Sequence, residues 1–195
     1  AQTVGLPTRQ NCGSCHFNGG GGNGVKHGDM DETLYFPSEN VDVHMGRFDF
    51  TCTDCHQTED HAIMGRSISV SVDNANQVYC SDCHQPELTH DDQRITEHLD
   101  TVACQTCHIP QGALRDATKM DWDWSTAGDP DREEDPHEYL RIKGSFVYET
   151  GFIPEYTWYN GTATHYLLGE PINAEGVTAI NDPLGSIQAA DAMIW

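Results

Sequence analysis

Cys104-Gln105-Thr106-Cys107-His108 is the last of four copies of one five-residue pattern. The others are Cys12-Gly13-Ser14-Cys15-His16, Cys52-Thr53-Asp54-Cys55-His56 and Cys80-Ser81-Asp82-Cys83-His84. Together they use all eight cysteines of the 195-residue chain. Residues i, i+3 and i+4 of a helical turn share one face, so each copy sets two thiols and an imidazole side by side. Disulfides would not require a histidine after every second cysteine. Zinc ribbons pair two C-x-x-C units and also leave the four-fold histidine unexplained. Attachment of c-type haem requires it: the thiols join the two vinyl groups of the porphyrin and the histidine takes the iron. The expected fold class is a multihaem cytochrome c, mostly irregular coil with few short helices and strands, organised around four covalently attached haems.

Composition supports that reading. Hydrophobic residues make up 37 % and the mean hydropathy is -0.58, too little for a thick side-chain core. One haem for about 49 residues (195/4) would replace it, and without haem the chain is expected to be largely unfolded. The net charge of -21 argues against nucleic acid and against anionic membrane surfaces. It serves solubility, or the docking of a basic redox partner. No run approaches the roughly 18 apolar residues of a membrane span. Ala1-Gln2-Thr3-Val4 reads as a mature end after signal removal. Haem of this type is attached outside the cytoplasm, so the expected location is extracellular or periplasmic.

Along the chain, residues 1–110 form the expected tetrahaem-binding region. Residues 111–195 form a cysteine-free acidic and aromatic tail, packed on that region in one compact unit or on a neighbouring subunit. The run Gly19 to Gly24 reads as a flexible loop or a close backbone approach to something flat. Ser67–Val72 alternates as a strand. Ile95, Leu99 and Val102 predict a helix from Asp91 into the fourth pattern. Asp121 to Glu138 reads as an acidic loop, Phe146–Tyr148 and Tyr156–Tyr159 as short strands. Pro183 to Trp195 reads as a helix exposing Ile187, Met193, Ile194 and Trp195, which folds back on its own body or docks on a neighbour.

The patterns fix four proximal iron ligands, His16, His56, His84 and His108. Seven of the eleven histidines remain (11 − 4), and four irons need four distal ligands. Imidazole on both faces accounts for the surplus and gives low-potential electron-transfer haems. His27, His44, His61, His90 and His98, interleaved with the patterns, are the distal candidates. His137, His165 and Lys26 are weaker ones. Met30, Met45, Met64, Met120 and Met193 are the competing ligand type. A spare histidine could ligate a haem of a neighbouring chain. Asn160-Gly161-Thr162 fits a glycosylation sequon. The carboxylates of Asp129, Asp131, Glu133, Glu134 and Asp135 could take calcium, although their spacing matches no standard loop.

Several stretches carry a resemblance: Cys12-Gly13-Ser14-Cys15-His16-Phe17-Asn18 with Lys26-His27-Gly28-Asp29, Asp42-Val43-His44-Met45-Gly46, Val102 to Pro110, and Glu155 to Thr162. They resemble the octahaem tetrathionate reductase family, over about residues 9 to 185. That family continues into a further haem-bearing part, where this chain stops after four sites. A tetrahaem chain of this ancestry is similar to the subunits of extracellular cytochrome filaments, or nanowires, whose haems are all bis-histidine and whose ligands cross between subunits. The resemblance implies electron transfer in a homopolymer, without catalysis, and other redox proteins or extracellular acceptors as further partners. In the reductase family the substrate-binding haem has a distal lysine, and the matching position here is Lys26, on the haem of His16. Two alternatives stand beside the filament: a soluble periplasmic tetrahaem shuttle, and a small reductase of sulfur or nitrogen oxyanions with the His16 haem as its active site.

Overall fold

The structure is a computed structural model and describes residues 5–18, 21–59, 62–65, 77–85 and 90–195. The strand expected over Ser67–Val72 lies outside these residues, as does His61. Three of the four patterns are helical. The first ends the helix Arg9–His16, the second forms Cys52–Cys55 and the fourth forms Cys104–His108. The third winds instead as the 3₁₀ turn Cys80–Asp82, whose tighter pitch eclipses i and i+3.

Each turn opens on a backbone donor that a helix leaves without an internal partner. In three cases a side chain three residues later satisfies it. Thr8 N–H donates to Asn11 Oδ1 at 2.8 Å, Thr51 N–H to Asp54 Oδ2 at 2.6 Å, and Tyr79 N–H to Asp82 Oδ2 at 2.9 Å. The Thr51 N–H, followed by its hydroxyl, holds the Asp54 carboxyl below the ordinary range. The fourth pattern carries Thr106 at that place. There Ala103 N–H and Thr106 Oγ1 both donate to Ile194 O at 2.9 Å. A strand from the end of the chain thus replaces the acidic cap.

The chain divides into two compact units, residues 1–54 with 111–154 and residues 55–110 with 155–195. This differs from the expected single unit divided at residue 110. The cysteine-free tail is itself shared, because each half hydrogen-bonds to a different haem-pattern segment. In the first unit Ala113 N–H donates to Asp29 Oδ1 at 2.7 Å and Lys26 N–H to Thr118 Oγ1 at 3.2 Å. In the second, the bonds to Ile194 serve the same purpose.

The first unit holds an antiparallel sheet of β3 (Thr118–Asp123), β5 (Gly144–Glu149) and β4 (Tyr139–Leu140), in the order β3-β5-β4. The stretch read as an acidic loop from Asp121 therefore begins inside a strand. Trp122 pairs with Phe146 across the ladder and stacks on Trp124 at 4.2 Å, and such aromatic pairing outweighs the low strand propensity of aspartate. The Lys119 ammonium sits 3.5 Å from the Trp122 ring centroid. Burial first, then Lys143, lowers its pKa. Gly144 turns β4 into β5 at φ +82, where a Cβ would lie 2.2 Å from Asp123 O. Tyr139 and Phe146 are buried here, with Phe17 set edge-on to Tyr35 at 4.8 Å.

In the second unit the helix expected from Asp91 to His108 is two helices, Gln93–His98 and Cys104–His108. Between them the backbone extends, since Val102 bridges Ile194 in parallel. The expected helix from Pro183 to Trp195 is absent for the same reason: β7 (Met193–Ile194) pairs with β6 (Trp158–Tyr159). Trp195 rests edge-on against Tyr159 at 5.5 Å. The end of the chain folds back on its own unit, and of its four expected exposed residues Ile187 is the one left exposed. Residues 160–184 form a hairpin tied by Asn160 N–H to Leu184 O and Tyr166 N–H to Ile180 O. Among the described residues, buried apolar side chains of this unit are the small ones, Ala103, Ala163 and Ala192.

Candidate haem-binding centres

The cysteines are free thiols and stand for the thioether sulfurs of the haem-loaded chain. They meet in pairs. Burial, then the Cys12 thiol that hydrogen-bonds it, pushes the Cys52 thiol up. Burial, then the Cys104 thiol in the same role, pushes Cys80 up. The leading sulfurs of the first and second patterns thus lie near each other in one unit, and those of the third and fourth in the other.

The proximal histidines follow their second cysteines and are exposed. His56 is the one held most visibly. Its Nδ1 lies 2.7 Å from Met64 O. A carbonyl only accepts, so Nδ1 carries the proton and Nε2 keeps its lone pair for a metal. β1 (Thr58–Glu59) and β2 (Ala62–Ile63) form the two-residue ladder that brings Met64 back over His56.

The distal candidates are placed unevenly. His90 faces His108, with ring centroids 6.1 Å apart and planes at 47°. His44 lies on the helix Val43–Arg47, started by Asp42 Oδ1 accepting from Met45 N–H at 2.7 Å, and its ring is 5.7 Å from that of Phe50. His27 is exposed in a turn bridged to Met30, and His98 is exposed at its helix end. His137 is exposed and lines an open cleft of about 820 Å³ with Arg132, Glu138, Phe146 and Tyr148. His165 Nδ1 lies 2.8 Å from Asn181 Nδ2, whose N–H also donates to Thr164 O. The amide nitrogen can only donate, which puts the His165 proton on Nε2, the nitrogen a metal would need.

Lys26 is turned to a carboxylate. Its ammonium lies 2.5 Å from Asp31 Oδ2 and 2.5 Å from Asn23 O, with both side chains of the ion pair almost wholly buried. Burial acts to raise the Asp31 pKa, but the hydrogen bonds from Lys26 and from Thr33 outweigh it and leave it lowered. The acidic loop spends its oxygens on backbone donors, Asp129 on Asp131 N–H, Asp135 on His137 N–H and Glu134 on Arg141 N–H. Among the described residues no three carboxylate, histidine or cysteine groups converge to hold an ion. Asn160 Oδ1 accepts from both the N–H and the hydroxyl of Thr162, so the sequon forms a local turn.

Comparison with known proteins agrees with this geometry. Residues 37–109 match the family "Cytochrome c7 and related cytochrome c", and residues 119–195 match "Cytochrome c bacterial" although they hold no cysteine. The octaheme cytochrome c from Shewanella oneidensis is similar over 98 % of this chain, at 44 % identity and a TM-score of 0.85. The fold is that of a multihaem cytochrome c. The chain spans 44 % of the length of that octaheme relative. A search of curated proteins found no match.

The cytochrome carries covalently bound haem c, for which the four C-x-x-C-H patterns are the attachment sites. The residues present fit the group. Large apolar side chains stay exposed beside the patterns: Phe48 at 59 % and Ile109 at 57 %, with Val78 and Tyr79 just before the third. A porphyrin face would cover side chains so placed. The His56 clamp depends on Gly65, at φ +111, where a Cβ would come within 2.6 Å of Nδ1. Gly65→Ala is expected to move that imidazole and convert one haem in four toward a high-spin, ligand-weakened ferric spectrum, read by absorbance and EPR. A spectrum identical to wild type would mean that the clamp does not hold the ligand. The sequence did not single out Gly65, Arg9 or the two capping aspartates. The aspartates had a signal, since Asp54 and Asp82 share one place in their patterns.

Proposed function

We propose that the cytochrome carries electrons through four closely packed bis-histidine haems as a subunit of a secreted, polymeric filament. The observation that carries the electron-transfer reading is the four C-x-x-C-H patterns, with Cys12 near enough to Cys52 and Cys104 near enough to Cys80 to raise the pKa of the Cys52 and Cys80 thiols. Two porphyrins tethered through neighbouring sulfurs would be held close to one another. Bound haem supplies reversible one-electron chemistry, and the chain sets its spacing, ligation and solvent exposure. His16, His56, His84 and His108 serve as the proximal ligands. His90 is the distal partner of His108: two metal–imidazole bonds of about 2.0 Å and two ring radii of about 1.1 Å span about 6.2 Å, against the 6.1 Å found.

Export is supported by the haem type, and among the described residues no helix is long and apolar enough to cross a membrane. Polymerisation is supported by the hairpin 160–184. Leu168 and Val177 near its tip are fully or almost fully exposed, with Leu167, Ile172 and Ile180 exposed beside them. The tip from Leu167 to Ala179 carries Glu170 and Glu175 and no cation, so contact there would be driven by its apolar side chains against the repulsion of like charge. Exposed His27, His98 and His137 are candidates for ligands between subunits. Electron microscopy of the assembled protein tests this: filaments are expected, and Leu168→Asp with Val177→Asp should disperse them. Dispersed tetrahaem monomers of the unmodified chain at high concentration would favour the soluble shuttle.

A reductase of sulfur or nitrogen oxyanions is the second reading. The cleft favours it, gathering Arg132 and His137 in a chain with only ten Lys plus Arg. A shift of the ferric spectrum on adding nitrite or cyanide would support it.

A further inference from the structure

We propose that Arg9 is the positioning residue that fixes the first two haem sites against each other and raises the potential of that pair. This rests on haem attachment at the patterns and not on assembly. Arg9 starts the helix that ends in the first pattern and is about nine-tenths buried. Its guanidinium fork reaches three separate segments. Nε donates to Phe50 O at 3.0 Å, and one Nη donates to Phe50 O, Met45 O and Asp49 Oδ1 at 2.7, 3.0 and 2.9 Å. The other Nη donates to Tyr35 O at 3.4 Å. Phe50 lies two residues before Cys52, and Met45 follows His44, a distal candidate, in the same short helix.

One rigid, always-charged side chain therefore ties the first pattern to the approach of the second and to the helix carrying His44. Lysine offers three donors on a single nitrogen and cannot span these acceptors as the planar fork does. The tie holds the segments of Cys12 and Cys52 near each other across a sequence separation too large for local structure to impose. The charge acts as well. It lies close enough to oppose the rise of the Cys52 pKa. Its counterion Asp49 is 96 % exposed, so water and salt neutralise Asp49 more than they neutralise the buried guanidinium. Oxidised haem is one charge more positive than reduced haem, so a buried cation disfavours oxidation and raises the potential. The second pair has Asp82 within its third pattern instead, a charge that works in the opposite direction on Cys80.

The test uses the purified tetrahaem protein with Arg9→Met, Arg9→Lys and Asp49→Asn, read by circular dichroism of the Soret band and by spectropotentiometry at low ionic strength. Arg9→Met should weaken the bisignate Soret signal of coupled haems and shift two of the four potentials negative. Arg9→Lys keeps the charge and loses the fork, so the signal should weaken while the potentials stay nearer wild type. Asp49→Asn keeps the hydrogen bond and removes the counter-charge. Asparagine also suits the φ of +58 at this position. It should leave the Soret signal intact and shift the same two potentials positive. An unchanged Soret signal in Arg9→Met, or equal shifts of all four potentials, would overturn the proposal. If the Arg9 variants fail to mature, Asp49→Asn decides alone, and an absence of any two-haem positive shift would overturn it.

Discussion

His90→Gly is expected to leave one haem of four without its sixth ligand. In the ferric protein the low-spin EPR signal should integrate to three haems rather than four, with a new high-spin signal from the fourth. Added imidazole should restore it by entering the space of the lost ring. The expectation rests on the 6.1 Å between the ring centroids of His90 and His108, which fits two imidazoles on opposite sides of one metal ion. His90 precedes the helix Gln93–His98, whose start is held by Asp92 Oδ1 accepting from Arg94 N–H at 2.8 Å. The haem site at His108 follows on the helix Cys104–His108, which the C-terminal strand anchors through Ile194. His90 and His108 thus both lie beside or on short helices tied down within the same unit. His98→Gly is the control. His98 ends the first of those helices and is exposed, and within a single subunit its loss should leave this haem low-spin. A His90→Gly protein with four fully low-spin haems would show that another side chain serves the iron of His108.

The parts of this architecture that could be read from the sequence are those set by local spacing. Three patterns wind as helices, as the i, i+3, i+4 spacing of their thiols and imidazole anticipated. β5 was visible because Phe146 and Tyr148 flank Val147 in a short apolar run beyond a glycine. The errors all fall where a distant partner decides. Ile95, Leu99 and Val102 have helical spacing, yet the helix breaks because Val102 and Ala103 take Ile194 as their partner. The same contact turns a plausible C-terminal helix into a strand. The bonds from Arg9 to Met45 and Phe50 join distant segments, and no periodicity reveals them. The small buried set, four alanines beside Phe17, Tyr139 and Phe146 among the described residues, was legible in the low hydropathy. Which residues would make it up was not, because in such a chain the cofactor faces and not a repeating apolar pattern choose the neighbours.

Lys26→Met should destabilise the protein by about 3–5 kcal/mol at neutral pH, the usual cost of stranding one partner of a buried ion pair. Denaturant unfolding of the haem-loaded protein is the measurement. The two side chains are 1 % and 4 % exposed, so water cannot replace the lost ammonium beside Asp31. Replacing both, as Lys26→Met with Asp31→Leu, should recover part of the loss, since it removes the stranded charge together with its partner. The pH dependence has a definite sign. The Asp31 pKa is lowered in the folded state, so its stabilising contribution is fully present above the unfolded carboxylate pKa of about 4. It is lost as pH falls through the folded value. The stability gap between wild type and Lys26→Met should therefore shrink on acidification below about pH 4, where the protonated carboxyl no longer needs the ammonium. The same variant separates the two readings of Lys26. An amine held by Asp31 and Asn23 O is not at a haem iron, so the ferric spectrum of Lys26→Met should match wild type while its stability falls. A change of ligand signature at one haem would instead place the amine on iron, reopening the reductase reading for the first site, and would require the bond to Asp31 to break in the loaded protein.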